Sequence, residues 1–587
     1  MSKYNNFSKE ELLKIIEKQE SELKTKKYGL VWDSEKEPEQ VVLDCENNIP
    51  ILQRVKEKEI KTDDSDDNIL IEGDNYHALT CLNYTHKGKI DVIYIDPPYN
   101  TGKKDFRYND SWILEDDGYR HSKWLNFMEK RLRSALNLLK KSGVIFISID
   151  DNEYAQLKLL CDKVFGEENR LSTHHIQVRY GNKSLNEKKD FQELLEYVLI
   201  YSKDKHQFTA NRPKEDYDIS KFNLKIEELK APDKVLEING RRVEIFLSGS
   251  YSIQKMTEGN LNLFKETWLS GSIYSGTGHG KMYQKVVEKR VDIDGLSTLY
   301  KIEGLGEDGL GFRYMINPQR ENSTRGKMFT KIPLVKKENL QNGIVDVSKT
   351  IINYYDFSAD FGNIRHEGGI GFNSGKKPIK LIKQLINYHG NKNAIILDFF
   401  AGSGSTGHAV LDLNNEDKGN RKFILCTNNE ENICKEITYP RIQNCIKGFS
   451  NNEGLNGNLQ YFKTDLIPVE RIDNISDKQR NELSEKAGQM ITIKENTFEE
   501  VETNEWYQIF ENKDKSKKTA IYFREDMDEF ESLLDKIGKT DTILYVFSYS
   551  RIDKKTFNYL GKNIVLEDIP EPILEIYKEI NLTLKDE

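Results

Sequence analysis

At 587 residues, 37% hydrophobic and 31% charged, the chain is longer than one ordinary core requires, and none of its apolar runs approaches a membrane span. The charged first 27 residues exclude a secretory signal peptide. Six scattered cysteines, none in a Cys-x-x-Cys pair, exclude a zinc site or a disulfide framework and fit a cytoplasmic protein. The net charge of −9 is unevenly spread: Lys and Arg outnumber Asp and Glu by 28 to 23 over 171–340, but fall behind by 19 to 28 over 455–587. The middle of the chain therefore permits nucleic-acid contact that the total would argue against.

In chain order, Ser8 and Glu11 have capping-box spacing ahead of a thin apolar stripe, which predicts a helical N-terminal arm within 1–65. Residues 68–83 read as a strand, a Gly-Asp-Asn turn and a helix. Asp91–Ile95 is a short buried strand that runs into Asp96-Pro97-Pro98-Tyr99. An amphipathic helix at 124–141, a strand at 144–149 and a helix at 153–164 follow. This alternation predicts a parallel sheet covered on both faces, with its first part at 66–170. The rhythm breaks over 171–365, a stretch of short aromatic strands, glycine turns and basic residues. It returns over 366–454 with a helix at 377–388, a strand at 394–397, a glycine turn at 401–407, a helix and a strand at 422–427. A smaller acidic α/β segment spans 455–587.

Asp96-Pro97-Pro98-Tyr99 follows a buried strand, at the edge where open α/β sheets keep their sites. The two prolines fix the turn and leave carbonyls free of competing N–H groups. A carboxylate, a fixed carbonyl and an aromatic ring suit an exocyclic base amine, whose lone pair is delocalised into the ring. Asp96 and the Pro97 carbonyl can each accept one N–H, and Tyr99 can stack on the base, for roughly 1–3 kcal/mol. The base must leave the duplex stack to be reached.

The second motif, Leu397 to Gly407 (LDFFAGSGSTG), follows the strand AIIL and opens a helix. Its glycines allow close backbone approach, and the helix start offers free N–H groups. It matches neither the dinucleotide fingerprint nor a Walker motif. Residues 275–282 (SGTGHGKM) also fail as a phosphate loop, because Ser275 stands where glycine is needed and Met282 where Ser or Thr is needed.

Together the two motifs resemble the amino-methyltransferases of DNA, in the order of the beta class. The long insert and extra C-terminal domain resemble the modification (Mod) subunit of type III restriction-modification systems. The resemblance implies a Rossmann-like α/β fold that uses S-adenosylmethionine, with no metal, a large inserted target-recognition domain and a small C-terminal α/β domain. It implies methylation of adenine N6 in a flipped-out base of duplex DNA, because cytosine-N4 relatives usually have Ser where Asp96 stands. It places the target base at Asp96, Pro97, Pro98 and Tyr99. It places the cofactor's methionine end at Phe400, Ala401, Gly402, Ser403 and Gly404 with Asp398 near its amino group, its adenine at Asp74 and Asn75, and its ribose at Asn428 or Glu430. Lys377-Pro378 matches the family's segment upstream of the glycine motif. Glu196 stands where His is common, and its strand reads as a plain buried one.

Within 171–365, Arg179, Lys183, Arg320, Arg325 and Lys327 are candidate DNA contacts. The acidic tail, 455–587, reads as a dimerisation or docking module, for a second copy or a restriction (Res) subunit. The competing readings are a cytosine-N4 methyltransferase and a non-catalytic specificity subunit that kept the fold.

Overall fold

A computed structural model describes Trp32 and residues 39–62, 66–181, 190–342, 346–371, 376–450, 452–472, 475–549, 552, 557 and 560–583. The predicted arm helix at 8–27 and the candidate Lys183 lie outside them. The chain divides into two units: Met1–Asn211 together with Ile352–Glu587, and Arg212–Ile351.

The larger unit is built on a ten-stranded sheet. Its strands in chain order are β1 (Asn48–Arg54), β2 (Asp67–Glu72), β3 (Ile90–Ile95), β4 (Leu139–Ile149), β5 (Arg170–Gln177), β6 (Leu195–Ser202), β7 (Tyr354–Asp356), β8 (Ile395–Asp398), β9 (Lys422–Thr427) and β10 (Asn458–Pro468). Their spatial order is β1-β10-β2-β9-β8-β3-β4-β6-β5-β7. The six from β10 to β4 run parallel, and β1 and β6 flank them antiparallel. All six residues of β2 and of β3 are buried, as strands in a sheet covered on both faces must be, with the apolar runs Ile69–Ile71 and Val92–Ile95 within them.

Helix α1 (Asn75–His86) follows β2, and α2 (Arg120–Leu138) lies between β3 and β4. Trp124, Met128, Leu132 and Ala135 recur at helical spacing on α2 and are all fully buried. Each large apolar side chain so buried contributes roughly 1.5–3 kcal/mol. Helix α3 (Tyr154–Phe165) follows β4, α4 (Ile379–Asn387) precedes β8, and α5 (Ser405–Asp417) follows it.

The register sets Ile396 of β8 beside Val92 of β3, and Leu397 beside Ile93. From β3 the chain moves to β4 on one side; from β8 it moves to β9 on the other. The loops after β3 and β8 therefore leave the sheet together at a topological switch point, where α/β sheets bind ligands.

Two boundaries differ from the sequence-based expectation. Strands β6, β7 and all but the first residue of β5 fall within 171–365, yet they join the main sheet, so the separate unit begins at Arg212 and ends at Ile351. Likewise β10 pairs with β1 and β2, and the segment beyond it shares the main core. A five-stranded sheet over 499–570 carries a terminal helix, Glu571–Thr583, whose Tyr577 donates to the Pro50 carbonyl at 2.8 Å. Apolar faces on that helix and on Gly488–Glu495 have their burial partners in β1 and α1, so one side of this segment joins the main core, while Tyr507, Ile509, Tyr522, Phe530, Leu533 and Leu544 form a core of its own.

The smaller unit holds a six-stranded antiparallel sheet ordered 234–238, 241–246, 299–303, 312–316, 327–330, 265–268. Val243, Ile245, Tyr283, Tyr300 and Met315 are its buried centre. Among the described residues no helix is long and apolar enough to cross a membrane. All six cysteines are buried thiols.

Candidate active site

At the end of β3 the chain passes from a buried strand into Asp96 and the two prolines. Trp124 of α2 clamps the turn by donating its indole N–H to the Pro98 carbonyl at 2.7 Å. No hydrogen bond among the described residues engages the Pro97 carbonyl. Asn100 has a left-handed φ of 56°. It is held there by its amide donating to Glu153 Oε1 at 2.5 Å. Burial pushes the Glu153 carboxyl up to about 8, against the opposing hydrogen bond from Asn100.

The Tyr99 hydroxyl lies 2.9 Å from Asp96 Oδ1 and 3.0 Å from Glu196 Oε2, placed to donate to either. Lys377 Nζ donates to that hydroxyl at 2.8 Å and lies 3.1 Å from Asp96 Oδ1 and 3.2 Å from Glu196 Oε2. Burial raises the Asp96 carboxyl above its usual range; Lys377 pulls it down and Glu196 pushes it up. Burial alone would lower the Lys377 ammonium, but the Asp96 and Glu196 carboxylates hold it above an ordinary lysine. Burial also raises the Tyr99 phenol well above its usual value.

The glycine loop lies beside this cluster. Asp398 ends β8, fully screened from water, and accepts from the Phe400 N–H at 3.0 Å and the Thr406 hydroxyl at 2.5 Å. Burial pushes its carboxyl up to about 7, and the charge of Asp96 adds to the shift. The pairing of β3 with β8 brings the two motif loops to one edge of the sheet. No lysine or arginine among the described residues pairs with Asp398. Gly402 (φ 48°) and Gly404 (φ 77°) take left-handed backbone that L side chains rarely adopt. A Cβ on Gly402 would meet no protein atom nearer than 3.8 Å, the Phe400 carbonyl, so open space adjoins the loop. Behind it, Thr438 donates to the Gly402 carbonyl at 2.5 Å, and the buried Arg441 reaches Ser405 Oγ at 2.7 Å and Ser403 Oγ at 3.2 Å. Ala401 and Ser403 are buried, and Phe400 is half-buried.

At the end of β2, Asp74 caps α1 by accepting from the Tyr76 N–H at 2.7 Å. Asn75 reaches across to the Phe399 carbonyl at 3.0 Å. Arg131, fully buried on α2, anchors this turn through Asn75 Oδ1 at 2.5 Å and holds Glu39 by two bonds of 2.9 and 2.7 Å. Asn428 and Glu430 are exposed just beyond β9, with the Glu430 N–H donating to Asn428 Oδ1 at 3.4 Å.

Of the candidate DNA contacts, Arg179 is exposed in the larger unit and donates to the Glu193 carbonyl at 3.2 Å. The other three described ones belong to the smaller unit. Arg320 is exposed. Arg325 lies over the Tyr274 ring at 3.9 Å and 3.1 Å from Glu288. Lys327 lies over Trp268 at 4.6 Å and 2.9 Å from Glu266.

Sequence reasoning missed Lys377 and Glu196 as members of the Asp96 cluster. Glu196 was read as part of a plain buried strand, yet a carboxylate two positions into the apolar run of β6 needs a partner and was itself a signal. Lys377 sits before Pro378 at the head of α4, where the sequence matched only the family's segment upstream of the glycine motif and nothing tied the charge to Asp96.

The site thus places a carboxylate, a proline carbonyl and a phenol on one loop, and a glycine cradle headed by a cation-seeking carboxylate on the next strand's loop. That is the layout of a methyl-transferring α/β enzyme that acts on an amine. The DNA methylase family (N6_N4_Mtase) matches residues 90–439 of the chain, and the chain belongs to it. It is accordingly an S-adenosylmethionine-dependent DNA methyltransferase. It is 28% identical over 469 residues to the type III restriction-modification enzyme EcoP15I Mod subunit of Escherichia coli, covering 71% of this chain and 67% of that one. It is 29% identical over 484 residues to the EcoPI Mod subunit of Escherichia phage P1, covering 75% and 71%. It is 29% identical over 383 residues to the type II methyltransferase M.KpnI of Klebsiella pneumoniae, covering 64% and 84%.

Proposed function

We propose that the chain methylates the N6 amine of a flipped-out adenine at a specific duplex site, as a Mod-type subunit. The observation that carries this reading is the pairing of β3 with β8, with Ile396 beside Val92, which sends Asp96–Tyr99 and the glycine loop out of neighbouring parallel strands.

In this reading Asp96 and the Pro97 carbonyl each accept one N–H of the target amine. Drawing both protons to one side favours a pyramidal nitrogen with its lone pair aimed at the donor methyl. Tyr99 stacks on the base and Pro98 fixes the turn. Catalysis is positioning and electrostatics. S-adenosylmethionine supplies a methyl group on a sulfonium. The residues suit it: the space beside Gly402 admits a chain against the backbone of Phe400–Gly404, and Asp398, buried with no cation of its own, suits an ammonium group. Asp74 and Asn75 take the adenine end, and Asn428 or Glu430 the ribose. Arg179, Arg320, Arg325 and Lys327, with Lys183, are the proposed DNA contacts, and the unit 212–351 reads the sequence. A second copy and a Res subunit are the proposed partners, in the cytoplasm.

The test is transfer of labelled methyl from S-adenosylmethionine to host DNA, with methylation-aware sequencing to locate the base. Site-specific N6-methyladenine, abolished in Asp96→Ala, is the expected result. N4-methylcytosine, or undiminished transfer by Asp96→Ala, would overturn it.

A further inference from the structure

Lys377 and Glu196 belong to neither motif loop, yet their side chains enclose Asp96. They come from separate elements: Lys377 from the turn before α4, Glu196 from β6, two strands from β3. Lys377, its side chain 8% exposed, touches Asp96, Tyr99 and Glu196 at 3.1, 2.8 and 3.2 Å. Lys377 and Tyr99 both meet Asp96 at Oδ1; no hydrogen bond among the described residues uses Asp96 Oδ2. Glu196 also lines a polar cavity of about 410 Å³, with Arg120, His121, Asp150, Asn152 and Arg179 among its other walls.

An amine N–H needs an acceptor. With Oδ1 taken by Lys377 and Tyr99, a proton on the Asp96 carboxyl would sit on Oδ2 and turn a donor toward the amine. Asp96 is largely buried, its side chain 18% exposed, and it faces Glu196; burial and that neighbouring carboxylate both disfavour its charge. Among the described residues Lys377 is the one cation against it. We propose, on the adenine-N6 reading above, that Lys377 and Glu196 are a positioning pair acting through Asp96. Lys377 keeps the carboxylate charged and tethers Oδ1, leaving Oδ2 for the target amine. Glu196, from the cavity side, holds Lys377 in place and opposes its effect on Asp96. Neither touches the reacting atoms.

The two residues therefore push in opposite directions, which a merely structural role would not do. The experiment is the pH profile of single-turnover methyl transfer by the full chain, with labelled S-adenosylmethionine and saturating DNA. In Lys377→Met the acid limb moves up by about 1–3 pH units, the range for loss of an adjacent opposite charge. Adding Glu196→Gln brings it back down, and Lys377→Arg stays near wild type. A uniform loss at every pH in Lys377→Met, or a double variant whose limb moves further up, would overturn the proposal. Should Lys377→Met not fold by circular dichroism, Lys377→Gln is read with the same two outcomes. Failure of the adenine-N6 reading itself shows separately, as wild-type chain that methylates no adenine or an Asp96→Ala chain at full rate.

Discussion

Replacing Gly402 with alanine separates the cofactor cradle from ordinary packing. The added Cβ finds its nearest protein atom 3.8 Å away, an ordinary van der Waals distance. The protein's own cost is therefore the left-handed backbone, φ 48°, about 1–2 kcal/mol for an L residue. If the methionine end of the donor lies against this backbone, the new methyl occupies its space and donor affinity falls by at least about tenfold, or 1.4 kcal/mol. Gly407→Ala is the control. Its Cβ would come within 2.6 Å of Ile442 Cδ1 and 2.9 Å of Leu425 Cδ1, so overpacking costs about 1–3 kcal/mol with donor affinity kept. Urea denaturation gives the first quantity and calorimetric titration with S-adenosylmethionine the second. Equal donor affinity in wild type and Gly402→Ala would refute the placement of the cradle.

Asp398, with its carboxyl pushed up to about 7 by burial, must lose its proton to pair with a cationic group. Donor affinity should therefore rise with pH, by roughly tenfold or more between pH 5.5 and 7 from this group alone, and Asp398→Asn should flatten that rise in titrations across the same range. Arg131→Met leaves Glu39 buried without its cation and frees Asn75. A loss of about 3–5 kcal/mol is expected by urea denaturation, most of it recovered when Glu39→Leu is added.

The central sheet was legible because its strands are unbroken apolar runs that end in punctuation: DVIYI before two prolines, AIIL before a glycine turn. Element positions followed within a few residues. The outer strands were not legible, because β5 and β7 are short or half-buried and β6 lies inside a stretch whose local composition resembles the insert. Their membership in the sheet is decided by pairing, of β6 with β4, β5 with β6 and β7 with β5, that leaves no periodic trace. At the C-terminal end the segment keeps a sheet and a core of its own, but its contact with the main core was not legible, because acidity marks a surface whereas the apolar face carrying Tyr577 joins that core. In the site, the loops were readable from residue type and order. Lys377 was not, since a charge nearly three hundred residues from its partner in the chain carries no local mark of where it is buried, whereas Glu196 was marked only as a carboxylate in an apolar run, with nothing to name its partner.

The β3–β8 pairing has a consequence for biosynthesis. It joins strands three hundred residues apart in the chain, so closure waits until the whole insert has been made, a slow non-local step by loop-closure entropy. Until then β3, buried along its entire length in the finished molecule, is an unpaired apolar edge. A product truncated within 212–351 would therefore be inert and would offer a template for aggregation. Immature chains cannot mark the genome, because the ends of both strands must meet before any base can be gripped.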